Sequence, residues 1–433
     1  MRTIRIGLLG LGTVGAGVVK LISQAGADLE RRVGARLAIR RIASRDLAKP
    51  RDVPVDRKLL TADPYEVIND PQVDIVVELI GGTADARAYC LEAVRKGKHL
   101  VTANKALLAE QGAELYRAAR EHGVSLGFEG SVCGGVPIIR ALREGLIANR
   151  ITSLRGIVNG TCNYILTQMS EHGAAFADVL ARAQAEGYAE ADPSLDVDGI
   201  DAAHKLQILA SIACGCHIDF GRIYVEGIRG IAPEDIANAR ELGYRIKLLA
   251  IAKATDATLE VRVHPALVPA DHLLASVGGV FNAVFIVGDA VGPQMFYGRG
   301  AGQMPTASAV LSDIVEIAQD ILTHRSARSA LIPKVGGEDA IRVTPIEDIR
   351  TSYYLRVMAA DKPGVLSKVA GVLGAHQISI ASVIQKGRGE HVAVPVVMMT
   401  HEAREGDMRH ALEAIDGLEV VMGRTVCLRV EEA

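Results

Sequence analysis

A chain of 433 residues exceeds one ordinary domain, and its 49% apolar content, with 4% aromatics and no Trp, supplies wide aliphatic cores of the kind that bury parallel strands on both faces. The net charge of −3 and the lack of a long basic run argue against nucleic acid as a partner, and no apolar run is long enough to span a bilayer. Six scattered cysteines without zinc-finger spacing (Cys90, Cys133, Cys162, Cys214, Cys216 and Cys427) argue against a disulfide framework or a zinc module, and predict free thiols in a reducing compartment.

The start of the chain reads as a strand, not a signal peptide, so the cytoplasm is the expected location. Residues 4–9 are a short apolar run ending at Gly10, and residues 11–22 carry Val14, Val18, Val19 and Ile22 at helical spacing. Strands are predicted over 37–43, 73–80, 99–102 and 124–129, and helices over 91–96 and 109–122. Alternation with short connections predicts parallel βαβ units and a Rossmann-type doubly wound sheet over 1–135.

From about residue 136 the helices lengthen, to 137–145, 161–170, 176–186 and 198–213. Strands are predicted at 246–252, 259–263 and 282–287, and a helix at 305–323, whose Pro305 fits a first turn. This α+β segment covers 136–324, its last helix returning to the nucleotide domain. Residues 325–350, with Pro333, Gly336-Gly337 and Pro345, read as a linker. Beyond it come a strand at 353–359, a helix at 364–376, a hairpin of 379–386 and 391–399 around Gly387-Arg388-Gly389, a helix at 402–415 and a strand at 420–430. That βαββαβ order is the ferredoxin-like unit, here over 351–433. With a core of its own, it is expected to be dispensable: a chain ending near Arg342 should keep the rest of the fold.

Gly10-Leu11-Gly12-Thr13-Val14-Gly15 is a GxGxxG pattern between the first strand and the first helix. The glycines permit a tight turn, close approach of a pyrophosphate and close helix packing, and the phosphates meet free N–H groups at a helix start. A purely structural Gly-rich turn is the plain alternative. An NAD-selective site usually places an acid at the end of the second strand. Here that strand runs into Ser44-Arg45, with Asp46 just after, which suits a 2′-phosphate. NADP is therefore favoured, with NAD as the alternative, and with Arg45 simply facing water as the reading that carries no function.

Two lysines draw attention. Lys105 follows the strand at 99–102, and ligands of open α/β sheets bind at the carboxyl ends of strands. Lys205 lies four residues after Asp201 on one predicted helix face, which alone would read as a surface ion pair. The stretch before it, AQAEGYAEADPSLDVDGIDAAHK over 183–205, crowds Glu190, Asp192, Asp196, Asp198 and Asp201 around two turns and a helix start. Asp198 is a plausible N-cap, and other acids of the group suit a ligand ammonium.

With the glycine pattern, Ala103-Asn104-Lys105 and Asn159-Gly160-Thr161-Cys162-Asn163-Tyr164, this segment makes the chain resemble homoserine dehydrogenases over its whole length. The resemblance implies reversible reduction of L-aspartate 4-semialdehyde to L-homoserine, in threonine, methionine and isoleucine biosynthesis. It implies Lys205 as proton donor with Asp201 beside it, and Glu190, Asp196 and Asp201 as substrate ligands. Lys105 is implied beside substrate and nicotinamide, and Gly302, in Gly298-Arg299-Gly300-Ala301-Gly302, on a late loop returning to the cofactor. The α+β segment is implied as the substrate-binding, catalytic and dimerisation domain of a homodimer or homotetramer. A carbonyl that takes up hydride becomes an alkoxide, so a cationic acid nearby is chemically required.

The family also holds a monovalent cation, Na⁺, near residues 129–136, where Glu129 and the carbonyls of Val132, Gly134 and Val136 match; a turn without an ion is the plain reading. Asp361-Lys362-Pro363-Gly364-Val365-Leu366 resembles the effector loop of ACT domains, which implies threonine bound by Asp361, Gly364, Val365 and Leu366 with Ile378. Gln377 departs from the Asn that such domains often carry before that Ile, and a dimerising unit that senses nothing is the alternative. Two rival readings of the whole chain remain. One is an acylating semialdehyde dehydrogenase with Cys133 as nucleophile, although no His lies near it in sequence. The other is a non-catalytic NAD(P)-binding amino-acid sensor.

Overall fold

The computed structural model describes residues 2–255, 257–325, 333–335, 341–385 and 393–432. The predicted hairpin turn at Gly387-Arg388-Gly389 and the Gly336-Gly337 pair lie outside them. The chain forms two compact units, each built from separated stretches: Met1–Val158, Asp201–Gly221 and Phe281–Ile341 in one, and Asn159–Ile200, Arg222–Val280 and Arg342–Ala433 in the other.

In the first unit, β1 (Thr3–Leu9), α1 (Thr13–Val33), β2 (Arg36–Ala43), β3 (Leu60–Thr61), α2 (Pro64–Ile68), β4 (Ile75–Glu78), α3 (Ala84–Arg95), β5 (His99–Thr102), α4 (Lys105–Glu121) and β6 (Leu126–Gly127) follow in chain order. The sheet is parallel throughout, in the order β3-β2-β1-β4-β5-β6. That is the doubly wound Rossmann order, whose reversal between β1 and β4 opens a crevice at the strands' carboxyl ends. The two-residue β3 and five-residue α2 are too short to show a period, so the sequence reading lacked them. Helix α1 runs eleven residues beyond its predicted end and stops where Gly34 turns left-handed at φ 80°, its N–H on the Glu30 carbonyl.

The same unit holds three antiparallel strands, Ile151–Ile157, Phe281–Gly288 and Gly292–Arg299. The first was not predicted, because buried Arg155 and Gly156 break its apolar pattern. The last was missed because most of its residues are only half-buried and it holds two glycines and a proline. Helix Ile200–Cys214 has eleven consecutive buried residues, Asp201 through Ser211, so its polar residues lie inside. Helix Gln303–Thr323 packs on α1 at Gly17, where a Cβ would lie 2.9 Å from both the Ala307 Cβ and the Gln303 carbonyl oxygen. Its apolar face joins the core of the parallel sheet.

The second unit carries helices Gly160–His172, Phe176–Ala185 and Pro233–Glu241, and the long antiparallel pair Tyr244–Ala254 and Thr258–Pro269. The helix at 233–241 was not predicted. The C-terminal βαββαβ order is as read, with strands Tyr353–Ala360, Ile380–Gln385, Ala393–Thr400 and Val426–Val430 around helices Val365–Ala375 and Glu405–Asp416. Asp198 is not the N-cap expected; it is the C-cap of the short helix Ser194–Val197, and its carboxylate pairs with Arg229, at 2.5 and 3.1 Å.

The C-terminal sheet does have its own core, from Tyr353 to Ile415. It is also one sheet with the rest of the unit, because Arg429 and Val430 pair in parallel with Ala266 and Leu267. Fully buried Asp235 takes a bidentate grip from Arg356, at 2.6 and 2.9 Å, and the Tyr354 hydroxyl at 3.0 Å. Buried Glu431 receives Arg262 at 3.0 Å and Lys253 at 2.6 Å. The predicted linker is partly built in, since Arg350–Thr351 pairs with Ala403–Arg404.

A chain ending near Arg342 would therefore lose more than an appendage, leaving Ala266 and Leu267 without the strand they pair with and the buried charges of Asp235 and Arg262 without their partners. Removing one partner of a buried ion pair costs about 3–5 kcal/mol. Arg356→Leu should lower the stability of the full chain by that order in urea unfolding followed by circular dichroism. An unchanged midpoint would show that the Asp235 grip contributes nothing.

Candidate active site

At the carboxyl end of β1, Gly10 turns with φ 102°, and a Cβ there would lie 2.6 Å from the Leu79 carbonyl oxygen. A Cβ on Gly15 would strike the Gly10 carbonyl, so these two glycines close the turn against β4 and α1. Gly12 faces open space, and α1 begins there with no side-chain cap and no acid in its first turn. Its first N–H groups are thus left for an anionic ligand. Leu11 is buried, Thr13 exposed and Val14 half-buried.

Gly10, Leu11 and Gly12 line a cavity of about 600 Å³, whose far wall carries Ser44, Arg45, Asp46, Lys49 and Arg51. Arg51 orders this wall by donating to the Ser44 hydroxyl at 2.9 Å and to the Asp46 and Lys49 carbonyls at 2.7 and 2.8 Å. The Asp46 carboxylate is occupied by the N–H groups of Ala48 and Lys49. Arg51 and Lys49 were missed, although three cations within 45–51 are a readable signal. Gly302, at φ 126°, starts the helix that packs on α1, and Gln303 reaches Asp52 at 2.9 Å. This places the late loop beside the same wall.

At the carboxyl end of β5, buried Glu78 accepts the Thr102 hydroxyl at 2.6 Å and the Ile80 N–H at 2.9 Å. The Thr102 hydroxyl also receives the Asn104 N–H at 3.0 Å, and the Asn104 side chain caps α4 through the Leu107 N–H at 3.1 Å. Lys105 is thereby fixed as the first residue of α4. Its Nζ lies 2.5 Å from Asp201 Oδ1. From the other side Lys205 Nζ donates to Asp201 Oδ2 and to the Val158 carbonyl, each at 2.7 Å.

Asp201 and Lys205 are 4% and 8% exposed, so this is no surface ion pair. Burial pushes the Asp201 carboxyl up, but Lys205 and Lys105 together outweigh it and hold the group well below the usual carboxylate range. One carboxylate thus holds two ammonium groups side by side at the edge of the crevice. His204 sits on the same helix, packed on Phe220, with Nε2 3.4 Å from Glu110; burial holds its pKa below the ordinary value. The Val158 acceptor and the His204–Glu110 pair are distant in sequence, and nothing in the chain pattern announces them.

In the second unit, the Asn159 side chain caps helix Gly160–His172 and donates to Asp196 Oδ1 at 2.7 Å. Glu190 is exposed, and its backbone carbonyl accepts the Gln184 amide at 3.0 Å.

Residues 129–134 and Val136 are buried. The Glu129 carboxylate is used by the N–H groups of Ile139 and Arg140, at 2.9 and 2.7 Å, while the Glu129 N–H donates to Asp313 at 2.8 Å. Burial, reinforced by Glu129, raises Asp313 to about 8. Among the described residues the backbone carbonyls of Val132 and Gly134 accept no hydrogen bond, and that of Val136 takes the Ile138 N–H at 2.8 Å. Unsatisfied buried carbonyls beside two carboxyls suit a hard monovalent cation held by backbone oxygen. No cluster of three or more His, Cys, Asp or Glu among the described residues could hold a metal.

Cys133, between these carbonyls, has φ 53° and is 1% exposed. Burial pushes its thiol up to about 12, against the pull of Lys205, which disfavours the thiolate that the acylating reading needs.

In the C-terminal unit Gly364 turns at φ 87° and starts helix Val365–Ala375 without a side-chain cap. Asp361 is half-buried and Leu366 exposed; Val365 and Ile378 are buried. Gln377 adopts φ 59°, a left-handed conformation in which Asn is enriched among non-Gly residues. Among the described residues no helix is long and apolar enough to cross a membrane.

Comparison with known proteins matches residues 10–129 to the NAD-binding domain of homoserine dehydrogenase, 137–315 to homoserine dehydrogenase proper, and 353–420 to the ACT domain. A homoserine dehydrogenase of Pseudomonas aeruginosa is 46% identical over 437 residues, covering all of both chains. A crystal structure of a homoserine dehydrogenase from Thiobacillus denitrificans superposes with a TM-score of 0.93 at 45% identity, covering 100% of this chain and 99% of that one. A hyperthermophilic archaeal homoserine dehydrogenase in complex with NADPH superposes at 0.62 with 28% identity, covering 73% and 97%.

Because its thiol is buried and burial favours the protonated form, Cys133→Ser should leave kcat close to that of the parent. Loss of turnover in that variant, with the fold intact by circular dichroism, would restore the thiol mechanism.

Proposed function

The chain belongs to the homoserine dehydrogenase family, an oxidoreductase family with a nicotinamide cofactor, and from that premise we propose how its residues divide the work. The observation that carries the proposal is the Asp201 carboxylate shared by Lys105 and Lys205. Lys205 gives its proton to the substrate oxygen as the aldehyde of aspartate semialdehyde becomes the hydroxyl of homoserine, and takes it back in reverse. Asp201 keeps Lys205 charged and aimed, since a carboxylate beside an ammonium favours its charged form. Lys105 neutralises charge near the reacting centre. Glu190, Asp196 and Asp201 hold the amino and hydroxyl ends of the substrate. A bound nicotinamide supplies or receives the hydride.

Gly10 to Gly15 and Gly302 cradle the dinucleotide. NADP is the proposed preference, supported by Arg45, Lys49 and Arg51 on one cavity wall. A Na⁺ ion is proposed on Glu129 and the carbonyls of Val132, Gly134 and Val136. Domain boundaries are proposed at 135, 324 and 350, the assembly as a homodimer or homotetramer, and the location as the cytoplasm. Threonine is the proposed effector, its carboxylate meeting the helix start at Gly364 and Val365, with Asp361, Leu366 and Ile378 around it.

Lys205→Ala should cost roughly 10²–10⁴ in kcat, the usual scale for a general acid, while cofactor binding followed by fluorescence stays near normal. Near-normal turnover would sink the role given to Lys205.

Gly364→Val should weaken threonine inhibition while leaving the uninhibited rate near normal, because φ 87° suits Gly alone and the added bulk crowds the helix start. A full-length chain that ignores threonine at millimolar concentration would turn the C-terminal unit into a subunit contact, with Gln377 the first residue to examine.

A further inference from the structure

We propose that the second unit contains a separate binding site for a small dianion, built on Lys247, Arg240 and Arg245. Helices Gly160–His172 and Pro233–Glu241, strand Tyr244–Ala254 and the loop at 275–278 enclose a cavity of about 410 Å³. Three cations face it against one carboxylate, Glu171, with the hydroxyls of Thr167, Ser170 and Ser276 between them. The chain as a whole carries a net charge of −3, so such a concentration is not what composition supplies.

The cations are underused within the protein. Lys247 is 6% exposed, and its Nζ donates to the Val277 carbonyl at 2.6 Å and to Asn163 Oδ1 at 3.4 Å. An ammonium has three donors, so one is left over. Arg245 gives one nitrogen to the Tyr244 carbonyl at 2.9 Å, and neither it nor Arg240 has an ion pair among the described residues. Burial, with Arg245 adding to it and Glu171 opposing, lowers Lys247 to about 8. Crowding like charges around a desolvated ammonium is unfavourable unless something anionic offsets it. A buried ammonium at the back of a concave wall cannot be reached by a macromolecular surface, and a volume of this size fits a compact ligand. Thr167 and Ser276 donate their hydroxyl protons to the Asn163 and Leu273 carbonyls, so the two guanidinium groups, the ammonium and the Ser170 hydroxyl are the donors that match a phosphate or a pair of carboxylates, which accept several charge-assisted hydrogen bonds at once. None of these residues belongs to the nucleotide cradle, the Asp201 cluster or the Gly364 loop.

The test uses the full chain with saturating NADPH, so that the nucleotide cradle is filled. Inorganic phosphate and succinate are titrated by calorimetry against sodium chloride of equal ionic strength, which removes general screening. Saturable binding of one ion per chain is expected for at least one of them, and which one binds assigns the ligand as a phosphate or a dicarboxylate. Arg240→Gln, an exposed position safe for folding, should weaken that binding roughly ten- to a hundredfold, the worth of a charge-assisted bond, with basal turnover unchanged. Lys247→Met should weaken it at least as much. No saturable binding of either ion, or equal affinity in parent and Arg240→Gln, would overturn the proposal.

Discussion

The shared carboxylate of Asp201 is the interaction on which the active site depends. Two ammonium groups held within 2.7 Å of one buried carboxylate repel each other, Lys205 is desolvated while Lys105 stays partly in solvent, and the intervening negative charge offsets both costs. The fold supplies the three partners from two elements. Asp201 and Lys205 are four apart on a helix that is buried along most of its length, which fixes their separation. Lys105 is delivered by the Glu78–Thr102–Asn104 hydrogen bonds that end β5 and start α4. The carboxyl end of a parallel sheet is where a doubly wound fold leaves room for a ligand, and the glycines after β1 open the same edge.

A similar rule governs the second unit, where buried charges join the C-terminal sheet to the strands before it. Asp235 with Arg356, and Glu431 with Arg262 and Lys253, are pairs whose single removal costs more than their presence gains. An effector can change catalysis only by binding one state of the protein better than another. The continuous sheet from Tyr244–Ala254 to Ile380–Gln385 means that a shift of the C-terminal strands is felt by the strands they pair with.

Much of this was legible from the chain. The GxGxxG turn, the main strands of the parallel sheet, the βαββαβ order and the lysine–aspartate helix all follow from local spacing and turn chemistry. What failed was non-local. Asp201 and Lys205 at four-residue spacing look like a surface pair, and only burial distinguishes them. The Val158 carbonyl that takes Lys205 is 47 residues away. Strand Ile151–Ile157 hides because Arg155 is buried, against the usual placement of charge. The C-terminal unit looked separable because its core is its own, while the charges tying it down, such as Asp235, lie more than a hundred residues upstream.

The central claim is that Asp201 makes Lys105 and Lys205 act as one unit. A double-mutant cycle in kcat/KM between Lys105→Met and Asp201→Asn tests it directly. Groups that work as a unit are strongly non-additive, so the double variant should be little worse than the more damaged single one. Losses that simply multiply, within the roughly 0.3–0.5 kcal/mol expected of independent sites, would contradict the account.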